Sequence, residues 1–147
     1  MYPAMLPGIL SRLRLREIVV KSWVFRWGPA ILVMAIIFAA SASAKADLPD
    51  FGVWDLFAKK GGHLAGYALL AAAFLHGLNN GRRITRLQSV AAVCLALLYA
   101  TSDEWHQSFV PGRNASVTDV AVDAAGAVIG VTVMCWTRAC VSARPRS

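Results

Sequence analysis

The sequence predicts an all-α, polytopic membrane protein: a compact bundle of four transmembrane helices with an amphipathic N-terminal segment on the cytoplasmic side. Two observations predict this fold class. The 147 residues are 57% hydrophobic and only 16% charged, which is too apolar for an ordinary soluble domain of this length. The apolar residues also fall into four separate stretches. If each stretch crosses the membrane once, most basic residues lie on the same side of the membrane.

Each apolar stretch is close to the roughly 20 residues that a helix needs to cross a bilayer. The first three are short and need residues from their flanks to complete the span. The stretches are about residues 27–44, 61–78, 88–102 and 118–137. They divide the chain into a basic N-terminal segment (1–26), a four-helix domain (27–137) and a short basic tail (138–147).

The first stretch has one rival interpretation, a cleaved signal peptide. Basic residues precede its apolar core, and Ala42-Ser43-Ala44 resembles a small-residue cleavage site. However, residues 1–26 are long for a charged leader, and cleavage would leave three spans with the termini on opposite sides. We therefore expect the first stretch to remain as a span.

The basic residues orient the bundle. Of the 15 lysines and arginines, five lie in the N-terminal segment, three between the second and third spans, and three in the tail. In a four-span topology all of these share one side, which the positive-inside rule assigns to the cytoplasm together with both termini. The N-terminal segment is expected to lie as an amphipathic helix on the anionic inner leaflet. The net charge of +7 therefore reflects topology, and we expect no nucleic-acid partner.

Polar residues recur at helical spacing on three spans, at the end predicted to face outward. Residues four apart on a helix share one face. The three stripes are Lys59-His63-Tyr67, Tyr99-Asp103-Gln107 and Asp119-Asp123. Ser116, three residues before Asp119, predicts a capping-box-like start for the fourth helix. The stripes together predict one polar cluster shared by three helices.

Most members of these stripes also have a purely structural interpretation. Lys59 and Lys60 are placed to extend their charges into the membrane interface, as lysines at span ends usually do. His63 would then be a buried histidine with one partner, and Asp119 an acid favoured by the helix dipole. Asp123 differs because it lies a full turn deeper among small apolar residues, where an unpaired carboxylate is costly. We expect Asp123 to form an ion pair with Arg113 or Lys59.

The segment Val110-Pro111-Gly112-Arg113 predicts a tight turn. Proline fixes its own φ angle, and the following glycine accepts the positive φ angle that such a turn needs. Such a turn would bring Arg113 back over the mouth of the bundle. A guanidinium matches both carboxylate and phosphate. Two uses therefore stay open, an internal pair with one of the nearby acids and a contact to an anionic substrate such as a lipid phosphate.

Gly126 and Gly130 form a GxxxG pair in the fourth span, which lets a neighbouring backbone approach closely. We interpret the pair as internal packing, with an oligomer through the same two glycines as the alternative. The three cysteines lack CxxC spacing and are expected to be packing residues.

A metal site or a cofactor is not expected. Asp103, Glu104 and His106 carry ligand atoms, but their close spacing on one helix scatters the side chains. No cofactor motif is recognisable in the chain.

The order of the polar residues along the chain resembles the VanZ-like family of small bacterial membrane proteins. The residues that carry this resemblance are Lys59, His63, Tyr67, Tyr99, Ser102, the block 103–113, Ser116, Asp119 and Gly126. The resemblance covers about residues 51–133, and its most specific part is the block 103–113. It implies a multi-span protein of the bacterial cytoplasmic (inner) membrane and cell envelope, linked to resistance to the glycopeptide antibiotic teicoplanin, and it implies no agreed biochemical activity. Family members often carry asparagine where this chain has Asp123, so a role for that asparagine does not transfer unchanged.

Two classes of function follow. In the first, the cluster binds an anionic lipid or a lipid-linked cell-wall precursor without catalysis. In the second, the protein is a membrane-embedded enzyme or carrier for an isoprenoid-phosphate or phospholipid intermediate, with general acid or base groups from His63, Asp103 and Glu104. The predicted ligand-binding residues are Lys59, His63, Tyr67, Asp103, Gln107, Arg113, Asp119 and Asp123. An ion path is disfavoured because the cytoplasmic halves of the spans are almost purely apolar.

Overall fold

The described part of the chain is all-α, as the sequence predicts. In the computed structural model it comprises the backbone of residues 6–42, 53–79, 83–110 and 116–142 and the side chains of 21–42, 60–79, 83–110 and 116–142. These residues form four helices: α1 (Leu6–Ala42), α2 (Val53–Leu78), α3 (Arg86–Gln107) and α4 (Val117–Ser142).

Helix α1 is longer than the first predicted span. It continues without a break from Leu6 through Pro29 to Ala42, although proline removes one helical hydrogen bond. The predicted boundary after residue 26 therefore coincides with no helix end. The basic segment and the first apolar stretch share one continuous helix.

Two of the four described helices are long and apolar enough to cross a membrane by themselves, Lys21–Ala42 within α1 and Val117–Ser142. The sequence predicts four spans, two more than these. In α2 the apolar sequence is interrupted by His63, Tyr67 and His76, and α3 ends in a run of polar residues.

Small side chains allow the helices to pack closely. Within the described residues, α2 contacts each of the other three helices, whereas α1 and α4 do not contact one another. Ala92, Ala96 and Ala100 form a fully buried stripe on α3, at the four-residue spacing that keeps one helix face in contact with its neighbours. Tyr67 and Leu70 of α2 complete this core.

The glycine pair of α4 brings two backbones together. A Cβ atom at Gly126 would overlap the carbonyl oxygen of Leu64, and one at Gly130 would overlap that of Ala68. Both glycines are buried against α2 of the same chain. The predicted internal packing of this glycine pair is confirmed in the described structure.

The outside of the bundle is apolar on every helix. Exposed side chains include Leu32 of α1, Leu69 of α2, Leu98 of α3 and Trp136 of α4, each more than 60% accessible. Soluble monomers rarely expose apolar surface so widely, and such surfaces mark contact with lipid or another protein.

At the end of the bundle opposite the predicted cluster, side chains donate hydrogen bonds to backbone carbonyl oxygens. The Arg26 guanidinium donates to the carbonyl oxygen of Gly77 at 2.7 Å, and the Gln88 amide donates to that of Leu78 at 3.1 Å. Thr85 and Gln88 also form a reciprocal capping box at the start of α3. These contacts satisfy polar groups that a helix end leaves without partners.

Candidate functional site

Buried polar side chains collect where α1 and α3 end and α2 and α4 begin. We call this set the polar cluster, and it comprises Ser41, His63, Tyr67, Asp103, Glu104, Gln107 and Asp123. Each helix contributes at least one member, so the site exists only when the whole bundle is assembled.

Asp103 accepts hydrogen bonds from more members of the cluster than any other described residue does, and we call it the hub of the cluster. Its Oδ2 atom accepts hydrogen bonds from the Ser41 hydroxyl at 2.7 Å and the Gln107 amide at 2.9 Å. The Tyr67 hydroxyl lies at the limit of hydrogen-bond distance, 3.5 Å from the same oxygen. Gln107 also donates to Ser41 at 3.2 Å. One carboxylate oxygen thereby connects α1, α2 and α3.

His63 and Asp123 form a second contact between α2 and α4. The His63 Nδ1 atom lies 3.2 Å from Asp123 Oδ1, and their side chains are 16% and 1% exposed. A buried carboxylate needs such a partner because removing it from water is costly. The accessible imidazole gives the cluster a group that can exchange a proton near neutral pH. His63 is thus the described partner of Asp123, while the side chains of the two predicted ion-pair partners, Arg113 and Lys59, lie outside the described residues.

Glu104 connects the end of α3 to the start of α4. Its Oε2 atom accepts the backbone N–H of Ser116 at 2.9 Å, while the Ser116 hydroxyl accepts from the N–H of Thr118 at 3.3 Å. Ser116 therefore caps the start of α4 as predicted, but the acid that accepts its backbone N–H is Glu104 and not the predicted Asp119. The acid that binds the capping residue comes from another helix, which spacing along one helix does not reveal.

Within the described residues, three buried acids each keep one carboxylate oxygen without a hydrogen-bond partner. These atoms are Asp103 Oδ1, Glu104 Oε1 and Asp123 Oδ2, on residues that are 4%, 6% and 1% exposed. Buried polar groups are usually paired, and each exception requires an explanation. The described cluster therefore has an excess of hydrogen-bond acceptors over donors.

The structure brings five of the eight predicted ligand-binding residues into the cluster. They are His63, Tyr67, Asp103, Gln107 and Asp123. Tyr99, from the same predicted stripe as Asp103, instead donates to the Met34 carbonyl of α1 at 2.6 Å.

Of the other three predicted residues, only Asp119 has a described side chain. Asp119 lies partly exposed in the first turn of α4. Lys59 is in α2, one turn before His63, but its side chain lies outside the described residues, as does Arg113.

Ser41 is a member of the cluster that the sequence did not predict. It is 2% exposed and supplies the only hydrogen bond from α1 to the hub among the described residues. Its signal was weak because it lies in a run of alanine and serine at the end of the first span. A hydroxyl within an apolar span is a known means of holding helices together.

The described residues offer no ready metal centre. No three histidine, cysteine or acidic side chains among them are placed to hold a metal ion. What the cluster can do is accept hydrogen bonds through its carboxylates and exchange a proton through His63.

One comparison with known proteins found a match. A family model described as VanZ/LLP1 matches residues 25–138, a range that includes the whole of α2 and α3 and every member of the polar cluster. No curated protein and no solved structure matches the chain.

Proposed function

We propose, from the premise that the chain belongs to the VanZ/LLP1 family, that it binds the head group of an amphiphilic envelope molecule at the polar cluster. The ligand would be a phospholipid or a lipid-linked cell-wall precursor, and the protein would lie in the bacterial inner membrane. The unpartnered carboxylate oxygens of Asp103, Glu104 and Asp123 are the observation that carries this proposal.

The helix dimensions support a four-span topology, and an even number of spans puts both termini on one side, which the positive-inside rule assigns to the cytoplasm. The shortest described helix, α3, has 22 residues, a length of about 33 Å at 1.5 Å per residue. The hydrocarbon core of a bilayer is about 30 Å thick. Exposed apolar side chains on all four described helices would then face lipid tails.

An amphiphile suits a polar cluster at one end of an apolar bundle. Trp105 and Phe109 are each 70% exposed at the end of α3, with ring centroids 5.8 Å apart. Aromatic rings at this level are typical of the membrane interface. The head group would enter the cluster while its hydrocarbon chains follow the apolar outer surface.

The anionic part of the ligand would be held by Lys59 and Arg113. Lys59 lies one turn before His63 in α2, and Arg113 lies in the segment between α3 and α4. Both positions adjoin the cluster along the chain. Altered handling of an envelope lipid would also account for the link to teicoplanin that the family resemblance implies.

Native mass spectrometry of the gently extracted full chain tests this proposal. Wild-type protein is expected to retain a reproducible lipid, and Asp123→Asn is expected to lower its occupancy about tenfold, because a charged acceptor is lost. The control is Thr101→Val, since Thr101 is exposed and bonds only to the Leu97 carbonyl of its own helix among the described contacts. Equal occupancy in all three proteins would contradict the proposal.

A second candidate function, a membrane-embedded enzyme, is favoured by the His63–Asp123 contact. A histidine oriented by a buried carboxylate is a typical general base. Incubation with labelled isoprenoid-phosphate or phospholipid would then give a product with wild-type protein and none with His63→Gln. Retained lipid without any product in either protein would leave binding as the function.

A further inference from the structure

We infer that Arg86 of α3 and Arg138 of α4 together hold the phosphate of an anionic phospholipid at the end of the bundle opposite the polar cluster. In the proposed topology this end faces the cytoplasm, so the lipid would belong to the inner leaflet. The site shares with the proposed function only the position of the bundle in a membrane, and it does not depend on what the polar cluster binds.

Helices α3 and α4 are antiparallel and bring the two arginines to one level. The Ser89 hydroxyl of α3 lies 3.7 Å from the Cys135 sulfur of α4. Arg86 precedes Ser89 by three residues, which is about 4.5 Å along the helix axis. Arg138 follows Cys135 by three residues, so it lies about 4.5 Å further along its own axis. Both steps lead toward the same end of the bundle.

Both arginines also lie on packed faces of their helices. Arg86 is 18 residues before Glu104, about five full turns at 3.6 residues per turn, and Glu104 contacts the start of α4. Arg138 is seven residues after Val131, about two turns, and Val131 belongs to the buried core. The α3–α4 pair therefore ends with one guanidinium group from each helix.

No described acid neutralises these two groups. Neither arginine forms an ion pair among the described residues, and both side chains are exposed. Arg83, which is also exposed, adds a third positive charge at this end. The acidic residues with described side chains lie toward the other end of the bundle and are Asp103, Glu104, Asp119 and Asp123. An anion can therefore reach the arginines and would reduce the repulsion between them.

The surface beside the arginines favours a lipid over a soluble anion. Exposed side chains without charge follow Arg86 along α3 at four-residue spacing, and they are Val90, Cys94 and Leu98. The exposed Trp136 lies two residues before Arg138, as expected for a tryptophan at the membrane interface. A phosphate bound between the arginines would leave its acyl chains along this surface of α3.

The chemistry of the arginines specifies an anionic head group. A guanidinium group matches two phosphate oxygens at once, and basic sites between helices on the cytoplasmic side are known to bind the head groups of anionic lipids. A zwitterionic lipid suits the site less, because its own positive charge lies beside its phosphate and is repelled by the arginines. For the same reason, a photoreactive probe with a zwitterionic head group would label the polar cluster in preference to this site.

Native mass spectrometry of the full chain tests the inference. The protein is mixed with equal amounts of phosphatidylglycerol and phosphatidylcholine that have identical acyl chains, and the ratio of the two bound lipids is measured. We expect wild-type protein to retain phosphatidylglycerol about tenfold more than phosphatidylcholine, which is the ratio that one charge-assisted hydrogen bond provides.

Substitutions of exposed residues assign this ratio to the two arginines. Arg86→Gln and Arg138→Gln should each bring the ratio close to one, and the double variant should lower it no further, because both side chains hold the same phosphate. Lys21→Gln is the matched control, since it removes an exposed positive charge from α1, which does not contact α4 in the described structure. This control and Asp123→Asn should keep the tenfold ratio.

Four outcomes would overturn the inference. The ratio could stay unchanged in both arginine variants, or Lys21→Gln could lower it as much as they do, which would indicate attraction to total charge. Release of phosphatidylglycerol by excess inorganic phosphate would assign the arginines to a soluble anion. A ratio that Asp123→Asn abolishes and the arginine variants keep would place the anionic lipid at the polar cluster, so that the proposed function stands and this inference does not.

Discussion

Replacing Gly130 by alanine is expected to lower the free energy of unfolding by about 3 kcal/mol, at the upper end of the range for overpacked cores. The added Cβ would overlap the carbonyl oxygen of Ala68. That oxygen belongs to the backbone of α2, so no side-chain rotation can relieve the contact and the two helices must separate. Thermal unfolding of the purified protein in mild detergent measures the loss.

Gly62→Ala is the matched control for this substitution. A Cβ at Gly62 would meet nothing within 4 Å, and alanine favours a helix over glycine by roughly 1 kcal/mol. This variant should therefore unfold at the same temperature as wild type or slightly above it. If Gly130→Ala behaved like Gly62→Ala, the close approach of α2 and α4 would be wrong.

Removal of the Asp103 side chain is the second large effect we expect. Asp103→Ala should cost about 3 kcal/mol, because a buried donor left without its acceptor typically costs 1–3 kcal/mol. The Ser41 hydroxyl and the Gln107 amide would both lose their bond to this carboxylate. Asp103→Asn keeps one acceptor oxygen and should lose less stability in the same unfolding measurement.

A double-mutant cycle shows whether Ser41 acts through Asp103. Ser41→Ala should cost about 1 kcal/mol in the wild-type background and clearly less once Asp103 is alanine, since the Ser41 hydroxyl then keeps only the hydrogen bond from the Gln107 amide. Costs that add to within about 0.5 kcal/mol would mean that the two residues do not interact.

The four helices could be predicted from the sequence because each coincides with an apolar stretch. The side chains of such a stretch either pack against other helices or face an apolar environment. The helix ends were less predictable. Helix α2 begins at Val53, ahead of the predicted start at residue 61, since backbone hydrogen bonds of a helix form whether or not its side chains are apolar. For the same reason α1 extends through the basic segment to Leu6.

The site was predictable along each helix and less so between helices. Four-residue spacing correctly placed His63 with Tyr67 and Asp103 with Gln107 on shared faces. The same spacing placed Tyr99 with Asp103, yet Tyr99 bonds to α1, because the rotation of each helix against its neighbours decides its partners. The contact between Glu104 and the Ser116 backbone depends on tertiary structure alone.

The structural and the ligand-binding interpretations of the cluster apply to different atoms of the same residues. Asp103 Oδ2 holds helices together, while Asp103 Oδ1 has no hydrogen-bond partner in the part of the chain that the structure describes. Substitution of a whole side chain changes both roles at once. Stability and ligand occupancy must therefore be measured on the same variants.

The most direct test of a ligand site at the polar cluster is photocrosslinking with a phospholipid that carries a photoreactive group in its head group. The full chain is irradiated in lipid bilayers, and the labelled peptides are identified by mass spectrometry. The account predicts that label concentrates on residues 60–67, 103–110 and 116–123 and falls strongly in Asp123→Asn. Label spread evenly over the four helices, or concentrated at the opposite end around residues 76–89, would contradict it.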